Sequence, residues 1–552
     1  AGTLVAPRSY PVALTHSCMD RSSEGSDAAG MILDARSVPP GTILEPEVCI
    51  VGAGAAGITL AREFMASPFR VVLLESGGMN YEPETQQLYA GQSIGQPFET
   101  LTTSRLRLFG GTTNHWGGWC LPLDAIDFEP RTHLPYHGWP FQRAYLDPWY
   151  RRAQVVCGLG PFDYRPASWG IRPGEIPPPF AGPDFEDKIL QVSSVHFGPA
   201  YASELRDAPR VSVYLHANAF GFRPDESGGA VSEVPVKTLS GNHFTVRARI
   251  YILAAGGIEN ARLLLTSSRE GGRGLGNEHD LVGRFFMTHL VYSGGVIAPA
   301  HPRNRFEFRR QGEYTISGRK HAFVSFVGPT ASAMHRLQLP NMFINWGYKL
   351  SPVVHSVDAL NRVLEGEPQG GHFWADLSKV LGHLEGVADY GIRKVLFDES
   401  IPVEAMEVEC ASEQEPNPQS RIMLGATRDR LGMPEVTVDW QLDPEDKSKA
   451  AATLSLLGAE IGRAGFGRFR PELVAGGPWP SDFYGNEHQM GTTRMHRDPT
   501  LGVVNENCRV HSLANLYVAG SSVFPTGGAN NPTLTIVALA LRLADHIKKD
   551  LA

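Results

Sequence analysis

The stretch Glu47-Val-Cys-Ile-Val-Gly52-Ala-Gly54-Ala-Ala-Gly57 constrains the fold of this chain more than any other. A short apolar run enters a glycine turn, and Gly57-Ile-Thr-Leu-Ala-Arg-Glu-Phe-Met then reads as a helix. Phe69-Arg-Val-Val-Leu-Leu-Glu75 follows as a second buried strand. Parallel strands joined in this way need a crossover helix, so the pattern predicts an α/β sheet. The spacing is Gly-x-Gly-x-x-Gly in the context that gives it meaning, after a strand and opening a helix. Gly52 permits the tight turn, Gly54 lets the backbone approach a pyrophosphate, and Gly57 lets helix pack on strand. The helix start, with Ala55 and Ala56, offers amide donors and positive potential to phosphate. Glu75, followed by Ser76, ends the second strand, where a carboxylate accepts hydrogen bonds from an adenosine ribose. FAD and NAD both use this fingerprint, and the motif alone does not choose between them.

Composition excludes several classes of partner. The 552 residues are 42% apolar and 20% charged with a net charge of −8, and no cluster of Lys and Arg suits a nucleic-acid backbone. Six cysteines, Cys18, Cys49, Cys120, Cys157, Cys410 and Cys508, are scattered with no Cys-x-x-Cys pair, so neither a disulfide framework nor a metal site is expected. That usage points to a reducing, cytoplasmic setting. No apolar run reaches the roughly 20 residues of a membrane-spanning helix. The first 30 residues lack a basic region followed by a long apolar one, and their polar run from Asp20 to Gly30 reads as a flexible extension rather than a secretory signal.

Further strands are expected at Val211-Ser-Val-Tyr-Leu-His216 and across Phe244 to Leu253, the latter ending at Gly256 before a helix from Ile258. From about Leu290 to Pro480 the texture changes to aromatic-rich strands such as His321-Ala-Phe-Val-Ser-Phe-Val, with an amphipathic region around Leu377 to Val395. The fold expected is an α/β, Rossmann-like and discontinuous cofactor domain (31–125, 190–290 and 485–552) with an α+β substrate domain on a mostly antiparallel sheet (126–189 and 291–484).

Three blocks carry a family likeness: Gly110-Gly-Thr-Thr-Asn-His-Trp-Gly-Gly-Trp119, Ala254-Ala-Gly-Gly-Ile-Glu-Asn-Ala-Arg262, and His488-Gln-Met-Gly-Thr-Thr-Arg-Met followed by Asn515-Leu-Tyr-Val-Ala-Gly through Asn531-Pro-Thr. Together they resemble the glucose–methanol–choline (GMC) family of FAD-dependent oxidoreductases, from about Met31 to the C-terminus. The likeness is greatest to the branch of pyranose oxidases and bacterial glycoside 3-oxidases. It implies FAD as cofactor, held in the Rossmann-like domain while the antiparallel sheet covers the flavin ring. His488 then matches the histidine that acts as base toward a substrate hydroxyl, and Asn531 the second catalytic position. Ala219, Ala254, Ala255, Gly256, Ala519 and Gly520 would line the cofactor, and Pro532 with Thr533 would begin the helix facing the flavin. Gly110, Gly111, Thr113, Asn114, His115 and Trp116 would lie against the ring. His115 matches the position of a histidine that in the pyranose oxidase pattern bonds covalently to flavin; here a covalent bond is possible but not the favoured expectation. Asn114 and Gly117 stand where that pattern has threonines, and the hydroxyl missing at Gly117 counts against efficient use of oxygen.

The chemistry agrees with the likeness. Oxidising an alcohol on a flavin removes the hydroxyl proton and passes hydride from carbon to flavin N5. Neutral imidazole suits the proton near pH 7, and an asparagine amide holds the oxygen without titrating. The substrate expected is a sugar or glycoside secondary hydroxyl, oxidised to a ketone. Alternatives are an aminoglycoside, a sterol or an aliphatic alcohol, or base chemistry with structural FAD as in hydroxynitrile lyases. Oxygen or another acceptor would reoxidise the flavin, with no membrane partner and the oligomeric state open. A metal reading of His488 with His496 fails, because no third ligand is placed; His289 and His496 carry no argument for a role. Gln414 is a candidate for substrate contact, against the commoner reading of a strand-end polar residue, and Trp116, Trp119 and Trp139 for a sugar site, with core packing expected for at least two of the three.

Overall fold

The computed structural model describes residues 31–350 and 403–552, apart from 99, 132–133, 170–181, 268–271, 301–310 and 317. The N-terminal extension and the region Leu377 to Val395 lie outside the described residues. A six-stranded parallel sheet forms around the glycine turn, in the order Met31–Asp34, Val211–Leu215, Val71–Leu74, Val48–Val51, Ile250–Leu253 and Leu516–Val518. Its central strands, Val-Cys-Ile-Val, Val-Val-Leu-Leu and Ile-Tyr-Ile-Leu, are buried throughout, as expected of a sheet covered on both faces. The helix Ala55–Phe64 follows the turn and packs against the C-terminal helix Thr533–Leu551. Phe244 to Leu253 divides into His243–Val246, which joins a separate small sheet, and Ile250–Leu253; Arg247 to Arg249 mark the break.

A second, nine-stranded sheet is antiparallel. Its path runs Gly467–Pro471, Leu290–Pro299, Val403–Ser412, Met342–Leu350, Arg319–Pro329, Phe185–Val192 and Trp119–Cys120, with Gln311–Ile316 and Tyr484–Gly485 pairing alongside. The α/β plus antiparallel architecture is therefore present. Chain limits drawn at 125, 189 and 484 cut into this second sheet, since Trp119–Cys120, Phe185–Val192 and Gly485 all belong to it. Strand partners come from pairing across the fold, which the chain order of motifs does not reveal.

Candidate active site

One cavity of about 670 Å³ connects the glycine turn to the C-terminal block. Its walls include Gly52, Gly54, Ala55, Ala56, Glu75, Ser76, Gly111, Thr113, His115, Trp116, Ala219, Ala254, Ala255, Gly256, Gly520, His488, Asn531, Pro532 and Thr533. Gly57, Gly110, Asn114 and Ala519 stand behind that wall. The Asn114 amide donates to the carbonyls of Phe109 and Gly111 at 3.0 and 2.9 Å, and the Gly110 amide donates to Ala53 O at 2.8 Å. They brace the loop on the glycine turn instead of facing the cavity.

The turn fits a dinucleotide. Gly52 has φ +104°, and a Cβ there would lie 2.6 Å from Ala254 O, while one on Gly57 would run into Gly52 O. At Gly54 nothing stands within 4 Å of that position, so the backbone is open to a ligand's close approach. The Ala55–Phe64 helix has no side-chain cap, which leaves its first-turn amides for phosphate. Glu75 Oε2 accepts from the Ala53 amide at 2.9 Å and Oε1 from the Gly77 amide at 2.8 Å. Oε1 also accepts from Ser76 Oγ at 3.3 Å, so it is Oε2 that keeps a lone pair for ribose.

At the other end His488 Nε2 lies 3.2 Å from Asn531 Nδ2. Pro532 caps the Thr533–Leu551 helix, which leaves the Asn531 amide free to face the imidazole. The loop before it is pinned from beneath. Thr526 Oγ1 donates to Asp127 O at 2.6 Å and accepts from Trp139 Nε1 at 2.9 Å, and Asn530 Nδ2 donates to Pro122 O at 2.8 Å. A Cβ on Gly528 would meet the Asp127 carboxyl, which burial, with Asp124 and Glu413 nearby, pushes up to about 8. Trp139 is thus core, between Phe128 and Phe524, and Gln414 is spent on the Thr288 amide, Trp440 Nε1 and Gln441 O. Trp116 and Trp119 do line the cavity.

Sequence reasoning missed what lies behind His488. Its Nδ1 is 2.9 Å from Nδ1 of His289, a buried residue 199 positions away, and 2.8 Å from Asn486 Nδ2. Asn486 Oδ1 accepts from the backbone amides of His488 and His289 at 3.1 and 3.3 Å, which turns its NH2 toward the ring. Neutral imidazole carries one N–H. An amide donated by Asn486 to Nδ1 sets the hydrogen on Nε2; one donated by Asn531 to Nε2 sets it on Nδ1, shared with His289. The two asparagines make opposite demands on the ring. Burial, and then repulsion from His289, holds His488 well below the usual imidazole range, and burial lowers His289 to about 4. His115 is lowered by burial too, opposed by the Glu487 carboxylate.

A dinucleotide turn shares one cavity with an imidazole and an amide, a layout suited to an oxidoreductase with either FAD or NAD, and the comparisons choose FAD. Residues 47–272 match the model of the FAD dependent oxidoreductases and residues 416–540 that of the C-terminal part of the GMC oxidoreductases. The chain is 25% identical to 6'''-hydroxyparomomycin C oxidase of Streptomyces lividus over 92% of both chains. It is 36% identical to C-glycoside 3-oxidase of Microbacterium trichothecenolyticum over 22% of this chain and 24% of that one. Pyridoxine 4-oxidase from Mesorbium loti shares the fold, with a TM-score of 0.55 at 18% identity over 91% of this chain and 98% of its own. The chain thus carries an FAD oxidoreductase domain and a GMC oxidoreductase C-terminal domain, the parts of an FAD-dependent enzyme acting on CH–OH groups. No helix among the described residues is long and apolar enough to cross a membrane.

Proposed function

We propose that this enzyme oxidises a secondary hydroxyl of a sugar or glycoside to a ketone, with His488 as general base and Asn531 as its orienting partner. The observation that carries the reading is the 3.2 Å contact of Asn531 Nδ2 with His488 Nε2 on the wall of the same cavity as the glycine turn. When bound, FAD supplies the hydride acceptor for the substrate carbon. The chain supplies the rest. His488 Nε2 takes the hydroxyl proton, and Asn531 Nδ2 holds the substrate oxygen. Burial keeps the ring neutral and so able to accept a proton well into the acid range. Trp116 and Trp119 offer apolar faces for a sugar ring, with the Trp116 indole N–H fixed on Val195 O at 3.0 Å.

The test is anaerobic bleaching of the flavin by a panel of sugars, glycosides and other alcohols, followed by admission of oxygen. A sugar or glycoside should bleach wild type, and His488→Ala should slow bleaching by about 10²–10⁴-fold with the flavin retained. Bleaching by aliphatic alcohols alone would remove the sugar assignment. Cyanohydrin cleavage without bleaching by any alcohol would replace redox chemistry in this chain by base chemistry.

A second reading, an amino-bearing sugar, is favoured by one observation. Glu487, next to His488, lines the cavity as an exposed carboxylate with no cationic partner among the described residues, and its field reaches His115. Such a group favours an ammonium on the substrate. Glu487→Gln should raise KM for an amino sugar about three- to tenfold and leave its neutral analogue unchanged. Equal effects on both would sink this reading.

A further inference from the structure

Gln489 is 9% exposed and lines the cavity, yet its side-chain Nε2 is buried without a hydrogen-bond partner among the described residues. Its backbone is held firmly. Gln489 O accepts from Ser521 Oγ at 2.6 Å, and a Cβ on Gly257 would strike that carbonyl, so only glycine lets the segment sit so close. Thr492 Oγ1 donates to Gly257 O on the same side. Gly257 and Ser521 follow two adjacent parallel strands, Ile250–Leu253 and Leu516–Val518, whose turns are joined by Asn260: its amide donates to Ala519 O at 3.0 Å and to Ser522 Oγ at 2.8 Å. Gln489 therefore lies at the carboxyl ends of the parallel strands, where open α/β sheets bind ligands. Beyond Ile250–Leu253 stands Val48–Val51, which feeds the glycine turn, and beside Gln489 in the chain stands His488.

A buried amide N–H with no acceptor costs about as much as a lost hydrogen bond, and native proteins rarely tolerate one. We propose that Gln489 is a cofactor-binding residue whose side-chain N–H donates to an oxygen of bound FAD between its pyrophosphate and its ring. The inference rests on FAD occupying this cavity. It gives the block around His488 a second task, since the residue after the base then grips the cofactor.

The test compares wild-type holoenzyme with Gln489→Leu, which keeps the side chain's bulk and removes the donor, and Gln489→Glu, which replaces it with a carboxylate. Flavin-to-protein ratio after purification and free-FAD fluorescence on dilution report affinity. Thermal unfolding at saturating FAD and without added FAD reports stability. FAD should bind about ten- to a hundredfold more weakly in Gln489→Leu, and at least as weakly in Gln489→Glu. Stripped of FAD, Gln489→Leu should unfold no earlier than stripped wild type, because it no longer buries an unpaired donor. Unchanged affinity and flavin content in both variants overturn the proposal. So does a fall in unfolding temperature equal with and without FAD, which would make Gln489 a structural residue only. Sugar-driven bleaching plays no part in these readouts, so failure of the substrate assignment would leave them standing.

Discussion

The glycine turn and the His488 pair are two ends of one cavity built on opposite plans. At the turn, backbone meets the phosphate: Gly52, Gly54 and Gly57 are chosen for what they lack, and all three lie within one strand, turn and helix. At His488, side chains do the chemistry, and they arrive from places 43 and 199 residues apart along the chain. A backbone site is rigid because its alternatives clash. The imidazole site is rigid because its polar groups bond one another, and it is the end where protonation matters.

That difference is sharpest under steric insult. Gly57→Ala places a Cβ against the carbonyl oxygen of Gly52, and neither backbone atom can withdraw without parting helix from strand. The expected loss exceeds about 4 kcal/mol, enough to abolish folded, flavin-loaded protein. Gly241→Ala is the control: its φ of +96° adds a backbone strain that Gly57 lacks, but open space surrounds the Cβ, and it should cost only about 1 kcal/mol. Yield of yellow protein and thermal unfolding measure both. If Gly57→Ala purified with full flavin and an unchanged midpoint, the turn would not be packed as described.

The same contrast explains what could be read before the fold was known. Local rules wrote the glycine turn: spacing, flanking apolar runs and a helix start all sit within Glu47 to Met65, and Glu75 ends the next strand. His488 and Asn531 were legible only through family likeness, because a histidine alone carries no sign of basicity. His289 and Asn486 were not legible at all. Their roles depend on the strand from Leu290 pairing with Tyr484–Gly485, which brings Thr288, His289 and Asn486 together. Gln489 could have been suspected as part of the His488 block, but its signal, a buried donor without an acceptor, exists only in three dimensions.

Acid should divide the two ends next. In the fold His289 stays neutral to about 4, while in an unfolded chain imidazole titrates near 6.5. As pH falls below 6.5 the unfolded state takes a proton that the folded state refuses, so this residue's contribution is intact above 6.5 and is lost progressively toward pH 4. His289 Nδ1 faces His488; burial lowers the His289 pKa, while the Glu413 carboxylate, itself held by Arg131 and His137, and the Gly527 and Gly528 backbone favour its charge. Comparison with His289→Gln isolates the histidine from other titrating groups. Relative to that variant, wild type should lose on the order of 3 kcal/mol between pH 6.5 and 4 in denaturant titrations. A difference that stays flat with pH would mean His289 is charged or exposed in the folded protein.

The smallest effect expected probes the tautomer. In Asn486→Asp one oxygen still accepts from the His488 and His289 amides, while the other replaces the NH2 that faces Nδ1 at 2.8 Å. Nδ1–H then has an acceptor, the neutral ring is held with Nε2 bare, and the two side chains flanking His488 no longer compete. The nearby carboxylate also raises the imidazole pKa. If His488 is the base, anaerobic reduction of the flavin near pH 7 should hold or rise severalfold, with the acid limb of its rate shifted upward by about one pH unit. A tenfold loss, with FAD still bound, would instead assign Nε2–H to donation onto the substrate oxygen and take the base role from His488. FAD affinity should not move in either case, because the change touches only the side-chain end of the cavity.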